Sequence, residues 1–300
     1  MRTTVREQRL IVISDIHMGN PLHRPGRAFT DFAKFALDHR YSVCVNGDGI
    51  DIAQLSLSRL RADFMPSLGT FMEFGDADLR IYHTVGNHDI ALEHFLSEIG
   101  RMTVVPFLNV LSGDKRIRIE HGHMYDEMFI KFPRLYYLFT MIGRLAIGVS
   151  PKFYDRLHHY NLEFIAFTEW VFSGFKKAEQ RRKHIDGAIP GERECFRYGA
   201  EDVGVRGFDV VIFGHTHLPG ESALPYGVQY YNTGGWFNGP FCVAIDHGRL
   251  WFGSVADLMK ADPFPREIAS PAPAPGVPAT PDLIAVPIPG TTMPAVAIAQ

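Results

Sequence analysis

Leu10-Ile11-Val12-Ile13-Ser14-Asp15-Ile16-His17 decides the fold: four apolar, mostly β-branched residues run straight into an aspartate and a histidine two positions apart. An uninterrupted apolar run of that length reads as a buried strand, and its abrupt polar end as the turn that leaves a sheet. The habit recurs along the chain. Tyr41 to Val45 meets Asn46-Gly47-Asp48, and Leu79 to Val85 meets Gly86-Asn87-His88-Asp89. Arg116 to Ile119 meets Glu120-His121-Gly122-His123, and Asp209 to Phe213 meets Gly214-His215-Thr216-His217. Open α/β sheets bind ligands beyond the carboxyl ends of their strands, so the five polar clusters are expected on one rim.

Helical spacing separates the strands. Phe29, Phe32, Phe35 and Ala36 predict one helix, and Ala91, Leu92, Phe95 and Leu96 another over 90–99. Val228 to Tyr231, Phe241 to Ile245 and Leu250 to Phe252 predict three later strands, the last after the turn Asp246-His247-Gly248. This alternation argues for α/β layers. The core is expected over 1–123 and 207–262, interrupted by a helical insertion over 124–206. From Pro263 to Gln300 the chain holds half of its 20 prolines, which predicts a disordered tail.

With 300 residues, 46% hydrophobic and 21% charged, the chain can bury a substantial core. A net charge of -3 supplies no global field for polyanions, so nucleic acid is not the expected partner. No obligate protein partner is indicated either. Cys44, Cys195 and Cys242 form no C-x-x-C pair, which argues against a disulfide framework and for a reducing compartment. The apolar run after the polar start is too short for the core of a signal peptide, and a cytoplasmic protein is expected.

The polar clusters carry the chemistry. Asp15 and His17, nominally on one side of a strand end, can offer a carboxylate oxygen and an imidazole nitrogen to one cation. Alone, such a pair is equally a capping aspartate beside a surface histidine. Asp48 has two oxygens and can bridge two ions, and Gly47 lets the backbone approach closely. Asp51 is expected to orient a ligand, though it also reads as a first-turn helix residue. Asn87 supplies a neutral amide oxygen, His88 follows it, and Asp89 could fix the His88 tautomer. His121 with His123, and His215 with His217, make two H-x-H pairs at strand ends, which packing alone explains poorly. Imidazole and carboxylate donors without thiolate favour Mn²⁺, Fe²⁺ or Zn²⁺ over calcium or magnesium.

The ordered set D-x-H, G-D-x-x-D, G-N-H-D, H-G-H and G-H-T-H, running from Asp15 to His217, resembles the calcineurin-like metallophosphoesterase superfamily. The resemblance implies a four-layer α/β/β/α sandwich and two divalent ions, with manganese the first expectation. One ion would be held by Asp15, His17, Asp48 and His217, the other by Asp48, Asn87, His121 and His215. His88 would stabilise the transition state or protonate the leaving group.

The insertion bears on the substrate. Phe129, Phe132, Leu135, Tyr136, Leu138, Phe139, Ile142 and Leu145 are more apolar than one buried stripe requires. Lys176, Lys177, Arg181, Arg182 and Lys183 follow a second apolar stretch. One reading is a helical hairpin packed on the core. The other is a cap that holds acyl chains and touches an anionic membrane from the cytoplasmic side. The second layout is similar to the UDP-2,3-diacylglucosamine pyrophosphatases, as is Asn232-Thr233-Gly234-Gly235-Trp236. That resemblance implies a nucleotide-lipid pyrophosphate substrate, with His123, Tyr125 and Asp126 as candidate substrate contacts. His88 stands where that group typically has arginine, so another phospholipid head group or a nucleotide diester is the alternative. A non-catalytic metal-binding scaffold is the reading from a different class.

Overall fold

The computed structural model describes residues 3–20, 23–52, 57–95, 97–99, 102–132, 134 and 188–265. Most of the expected insertion, including residues 135–187 with the basic run 176–183, and the tail from 266 lie outside the described residues.

The first seven strands are β1 (Thr4–Arg6), β2 (Arg9–Ile13), β3 (Ser42–Asn46), β4 (Ile81–Thr84), β5 (Ser97–Ile99), β6 (Met102–Val105) and β7 (Leu108–Ser112). Then come β8 (Lys115–Ile119), β9 (Val210–Phe213), β10 (Gly220–Ala223), β11 (Gln229–Asn232), β12 (Phe241–Asp246) and β13 (Arg249–Ser254). They form a seven-stranded sheet in the order β13-β12-β2-β3-β4-β6-β5 and a six-stranded sheet in the order β1-β7-β8-β9-β11-β10. In the larger sheet β2, β3, β4 and β6 run parallel, and in the smaller one β8, β9 and β11 do.

Alternation along the strands builds the layers. Leu10 and Val12 of β2 face inward and pack with Cys44, Tyr82, Val110, Ile117, Val210 and Ile212, which fill the space between the two sheets. Ile11 and Ile13 face the opposite way, onto Phe29, Phe32 and Ala36 of helix α1 (Gly26–Asp38). Helix α2 (Leu57–Asp76) adds Phe74 to that outer layer. On the smaller sheet, Val211, Phe213 and Tyr230 meet Phe196, Ala200 and Val203 of a helix over Glu194–Val205. Helix, sheet, sheet, helix: the sandwich has four layers. A short helix α3 (Glu127–Lys131) precedes that outer helix, which becomes α4, and α5 (Val255–Lys260) closes the described core.

Three features depart from the sequence expectation. Residues 90–99 are no single α-helix: Ile90–Phe95 form a 3₁₀ turn, and β5 pairs antiparallel with β6. A short amphipathic window nucleates a helix poorly, and the ladder offers its backbone better partners. Helix α4 lies within the expected 124–206 insertion, yet its apolar face belongs to the sandwich. Phe264, within the expected tail, is buried in the core beside α1. Among the described residues, no helix is long and apolar enough to cross a membrane.

Candidate metal centre

Each predicted ligand cluster sits just past the end of a strand. Asp15 and His17 follow β2, Asp48 follows β3, Asn87 follows β4, His121 follows β8, and His215 and His217 follow β9. The two sheets are tied at this rim. The Asn46 side-chain amide donates to the carbonyls of Glu120 (3.0 Å) and Ile212 (3.3 Å) across the sandwich. The His215 N–H donates to Asp15 Oδ2 at 3.1 Å.

Asp15, His17, Asp48, His215 and His217 all have positive φ, between 51° and 67°. A non-glycine residue there is strained by about 1–3 kcal/mol, and such strain gathers at functional sites. It also corrects the pleat argument for Asp15 and His17. The strand has ended at Ile13, and left-handed turns aim both side chains inward.

The donor atoms converge. His217 Nε2 lies 3.0 Å from Asp15 Oδ1 and 3.3 Å from His17 Nε2. His121 Nε2 lies 3.1 Å from Asn87 Oδ1 and 3.3 Å from Asp48 Oδ2, and His215 Nδ1 lies 2.8 Å from Asn87 Oδ1. Asp15, His17 and His217 form one group whose ligand atoms lie within 4.8 Å of each other, and Asp15, Asp48 and His121 another. His17, Asp48 and His88 form a third. Two glycines make room for this. A Cβ on Gly47 would stand 2.3 Å from His121 Nδ1, and one on Gly86 would stand 2.2 Å from Asp48 Oδ1.

Neighbouring residues aim the ligands. His121 Nδ1 donates to the Asn46 carbonyl at 2.9 Å, which turns Nε2 toward the site. His215 Nε2 contacts Asp126 Oδ2 at 2.9 Å, and Asp126 is also paired with Arg193. Asp126, expected to touch substrate, is thus engaged in holding His215. Asp51 contacts His88 Nδ1 at 3.0 Å and accepts from Asn20 Nδ2 at 2.7 Å. Asp89 does not orient His88. Its carboxylate accepts from the N–H groups of Gly49 and Gly86 and meets His83 at 2.9 Å, pinning the two loops together.

His123 is buried beside the His121 and His215 rings, and among the described residues its Nδ1 has no hydrogen-bond partner. Burial, then the charges of His121 and His215, push its pKa down to about 3. Tyr125 points away from the cluster. Its ring stacks on Phe213, and its hydroxyl donates to Glu120 at 2.9 Å.

Charge decides what the cluster can hold. Asp15 and Asp48 are buried, and among the described residues their ion-pair partners are all histidines. Burial raises both carboxyls, but His121 and the other imidazoles more than reverse it, leaving Asp15 at about 2 and Asp48 well below its usual value. Burial lowers His121, and Asp48 and Asp15 bring it back up to about 10. Each buried carboxylate costs several kcal/mol unless compensated, yet among the described residues Asp15 Oδ1 and His17 Nδ1 are met by ion-pair contacts without a well-formed hydrogen bond. Divalent cations that accept both imidazole nitrogen and carboxylate oxygen fit this donor set.

Sequence reading missed Asn20, Asn46, His83 and Glu192. Glu192 Oε1 accepts from Tyr230 (2.7 Å) and from Asn232 Nδ2 (2.9 Å), which also reaches the Gly214 carbonyl and Thr216 Oγ1. Asn46 adjoined a quoted cluster and was legible there. A single glutamate in Pro190-Gly191-Glu192 carries no such signal.

The family model for calcineurin-like phosphoesterases matches residues 8–219, which include all seven expected ligands. No curated protein matches the chain. Among solved structures, a novel archaeal phosphodiesterase is 15% identical, with 82% of this chain and 99% of that one covered at a TM-score of 0.40. A dimetal phosphatase from Danio rerio is 14% identical, with 82% and 95% covered at 0.40. Plasmodium GAP50, an anchor in the inner membrane complex, is 12% identical, with 83% and 85% covered at 0.42.

Proposed function

Because the chain belongs to the calcineurin-like phosphoesterase family and is a metal-dependent phosphoester hydrolase, we propose that its substrate is a nucleotide-lipid pyrophosphate such as UDP-2,3-diacylglucosamine, hydrolysed at a dinuclear centre. Asp15, His17, Asp48 and His217 would hold one ion, and Asp48, Asn87, His121 and His215 the other. The observation behind the dinuclear reading is the buried pair Asp15 and Asp48, met from both sheets by imidazoles whose nitrogens converge on them. Divalent ions in such a pair supply Lewis acidity and an acidified water at neutral pH. Manganese is the first candidate, with iron and zinc next.

The chain's own residues supply the rest. Asp48 fixes the loop that follows β4 by accepting the His88 N–H at 2.8 Å. His88 Nδ1 is engaged by Asp51, and its side chain is one-fifth exposed, which leaves Nε2 to meet the substrate. Burial lowers its pKa, but Asp48 and Asp51 outweigh that and hold it at about 9. With Nδ1 held by Asp51, His88 is placed to give a proton to the departing oxygen.

The apolar composition of the insertion favours a lipid-bearing substrate, and its basic run favours contact with an anionic membrane. Remote acyl contacts would position the reacting phosphorus. Removing the acyl chains from the substrate of metal-loaded protein is expected to lower kcat/KM by at least about 10²-fold. Anionic vesicles are expected to bind the protein, less so at high salt. Comparable kcat/KM with and without acyl chains would end the lipid reading and leave the hydrolase intact. The second substrate class, a nucleotide diester, would then stand.

A further inference from the structure

Helix α2 is apolar on two sides. Leu60, Phe64, Phe71 and Phe74 pack into the core cluster that α1 shares. On the other side Leu57, Met65, Leu68 and Met72 are 76%, 56%, 37% and 70% exposed. Together with exposed Arg61 they follow one another three or four residues apart, which aligns them in a single stripe along the helix. Apolar residues scattered singly over a surface need no explanation, but a continuous stripe marks an interaction surface.

Two further observations bear on what covers it. Gly69 is exposed beside Met65 and Met72, and a Cβ there would meet nothing within 4 Å. Glycine weakens a helix interior, and neither a positive φ nor packing within the described chain calls for it at this position. It serves the close approach of another body, next to Ala62, which is also exposed.

Charge then selects that body. Arg61 lies toward the amino end of the stripe, and Glu73 and Asp76 lie at its carboxyl end. All three are exposed and form no ion pair among the described residues. The pattern is self-complementary. A second α2 laid antiparallel about a twofold axis near Pro66 and Ser67 sets Met65 of each copy against Leu68 of the other. The same axis sets Arg61 against Met72 and Glu73, so each basic end meets an acidic one. An anionic membrane would attract Arg61 but repel Glu73 and Asp76, so lipid fits the stripe less well.

We propose that the outer face of α2 is a homodimer interface, on which two copies of this chain pair antiparallel about a twofold axis. A helix of 20 residues is about 30 Å long, which puts a single helix pair at the low end of interface sizes and makes the dimer weak and reversible. None of the residues involved belongs to the metal centre, so the dimer is tested apart from activity.

Sedimentation velocity of the full-length, metal-loaded protein, from about 1 to about 200 μM, provides the test. The wild type is expected to pass from monomer to dimer over that range. Met65→Glu puts a carboxylate at the middle of the stripe and is expected to raise the dissociation constant at least about tenfold. Its Tm and metal content are expected to stay unchanged, because the side chain is exposed. Arg61→Glu brings like charges together and is expected to weaken the dimer. Adding Glu73→Arg to it restores opposite charges across the axis and is expected to recover much of the affinity. A wild type that stays monomeric at every concentration would overturn the proposal. So would a dimer indifferent to Met65→Glu and to Arg61→Glu, which would put the interface elsewhere. A monomeric chain whose Met65→Glu variant loses binding to anionic vesicles would give the face to lipid instead.

Discussion

Asp48 stands between the two groups of imidazoles, with one oxygen 3.3 Å from His121 Nε2 and 3.9 Å from His17 Nε2. Asp48→Asn removes the charge from both sides at once and is expected to lose more bound metal than any other single ligand change. Elemental analysis showing two full equivalents in the mutant would reject Asp48 as the bridge. His88 differs from it in kind. His88→Ala is expected to keep both ions and to lower kcat by about 10²–10⁴ on a substrate with a poor leaving group. Loss of an ion would make His88 a ligand, as its approach to His17 and Asp48 allows. Residue identities at this site were legible because H-x-H and G-N-H-D report donor chemistry directly. Their neighbours' roles were not, because partnership depends on backbone direction. Asp51, 37 positions away, reaches His88, whereas the adjacent Asp89 turns back to bind Gly49, Gly86 and His83.

Elements were legible where pattern and environment agreed. Four of the five strands ahead of the polar clusters, β2, β3, β4 and β9, were visible as apolar runs because both of their faces are buried, whereas β8 alternates. Helix α2 was hidden because its pattern is blurred by buried polar and exposed apolar residues. Asp63, Ser67 and Thr70 are buried against α1, while Leu57, Met65 and Met72 are exposed. Asp63 accepts the Gly19 N–H at 3.1 Å, and Ser67 contacts Thr30 at 2.9 Å, so polar partners are buried beside the apolar stripe of Leu60, Phe64, Phe71 and Phe74. The segment before α4 supplies a further test. Burial raises the Glu192 carboxyl from 4.5 to about 7, against the hydrogen bonds from Tyr230 and Asn232. Between those two pH values the folded chain binds a proton that the unfolded chain has lost. This contribution to stability is therefore complete below about pH 4.5 and declines as pH rises through about 7. Glu192→Gln removes that decline and is expected to melt a few degrees above the wild type at pH 8, with no difference near pH 4.5. Parallel melting curves across that range would show that Glu192 does not carry the charge change.

On the scale of the whole molecule, the α/β layering was legible in the alternation of strands and helices, whereas the four-layer sandwich was what the family resemblance of the strand-end motifs implied. The weakly patterned edges, β1, β5 and β10, were not anticipated, since edge strands are short and need little burial to pair. The rim has one more consequence, and it concerns time. Asp15, Asp48 and Asn87 leave the seven-stranded sheet, whereas His121, His215 and His217 leave the six-stranded one. Ions held by that set would span the seam of the sandwich, and the sheets could not part until the ions left. Contacts that form late in folding slow unfolding far more than they hasten folding. In strong urea, metal-loaded protein is expected to unfold at least about tenfold more slowly than metal-free protein, with refolding rates nearly equal. Identical unfolding rates would place the ions off the seam. If the seam is so closed, the lifetime of the fold is set by the dwell time of its metals, and a chelator acts on this protein as a clock.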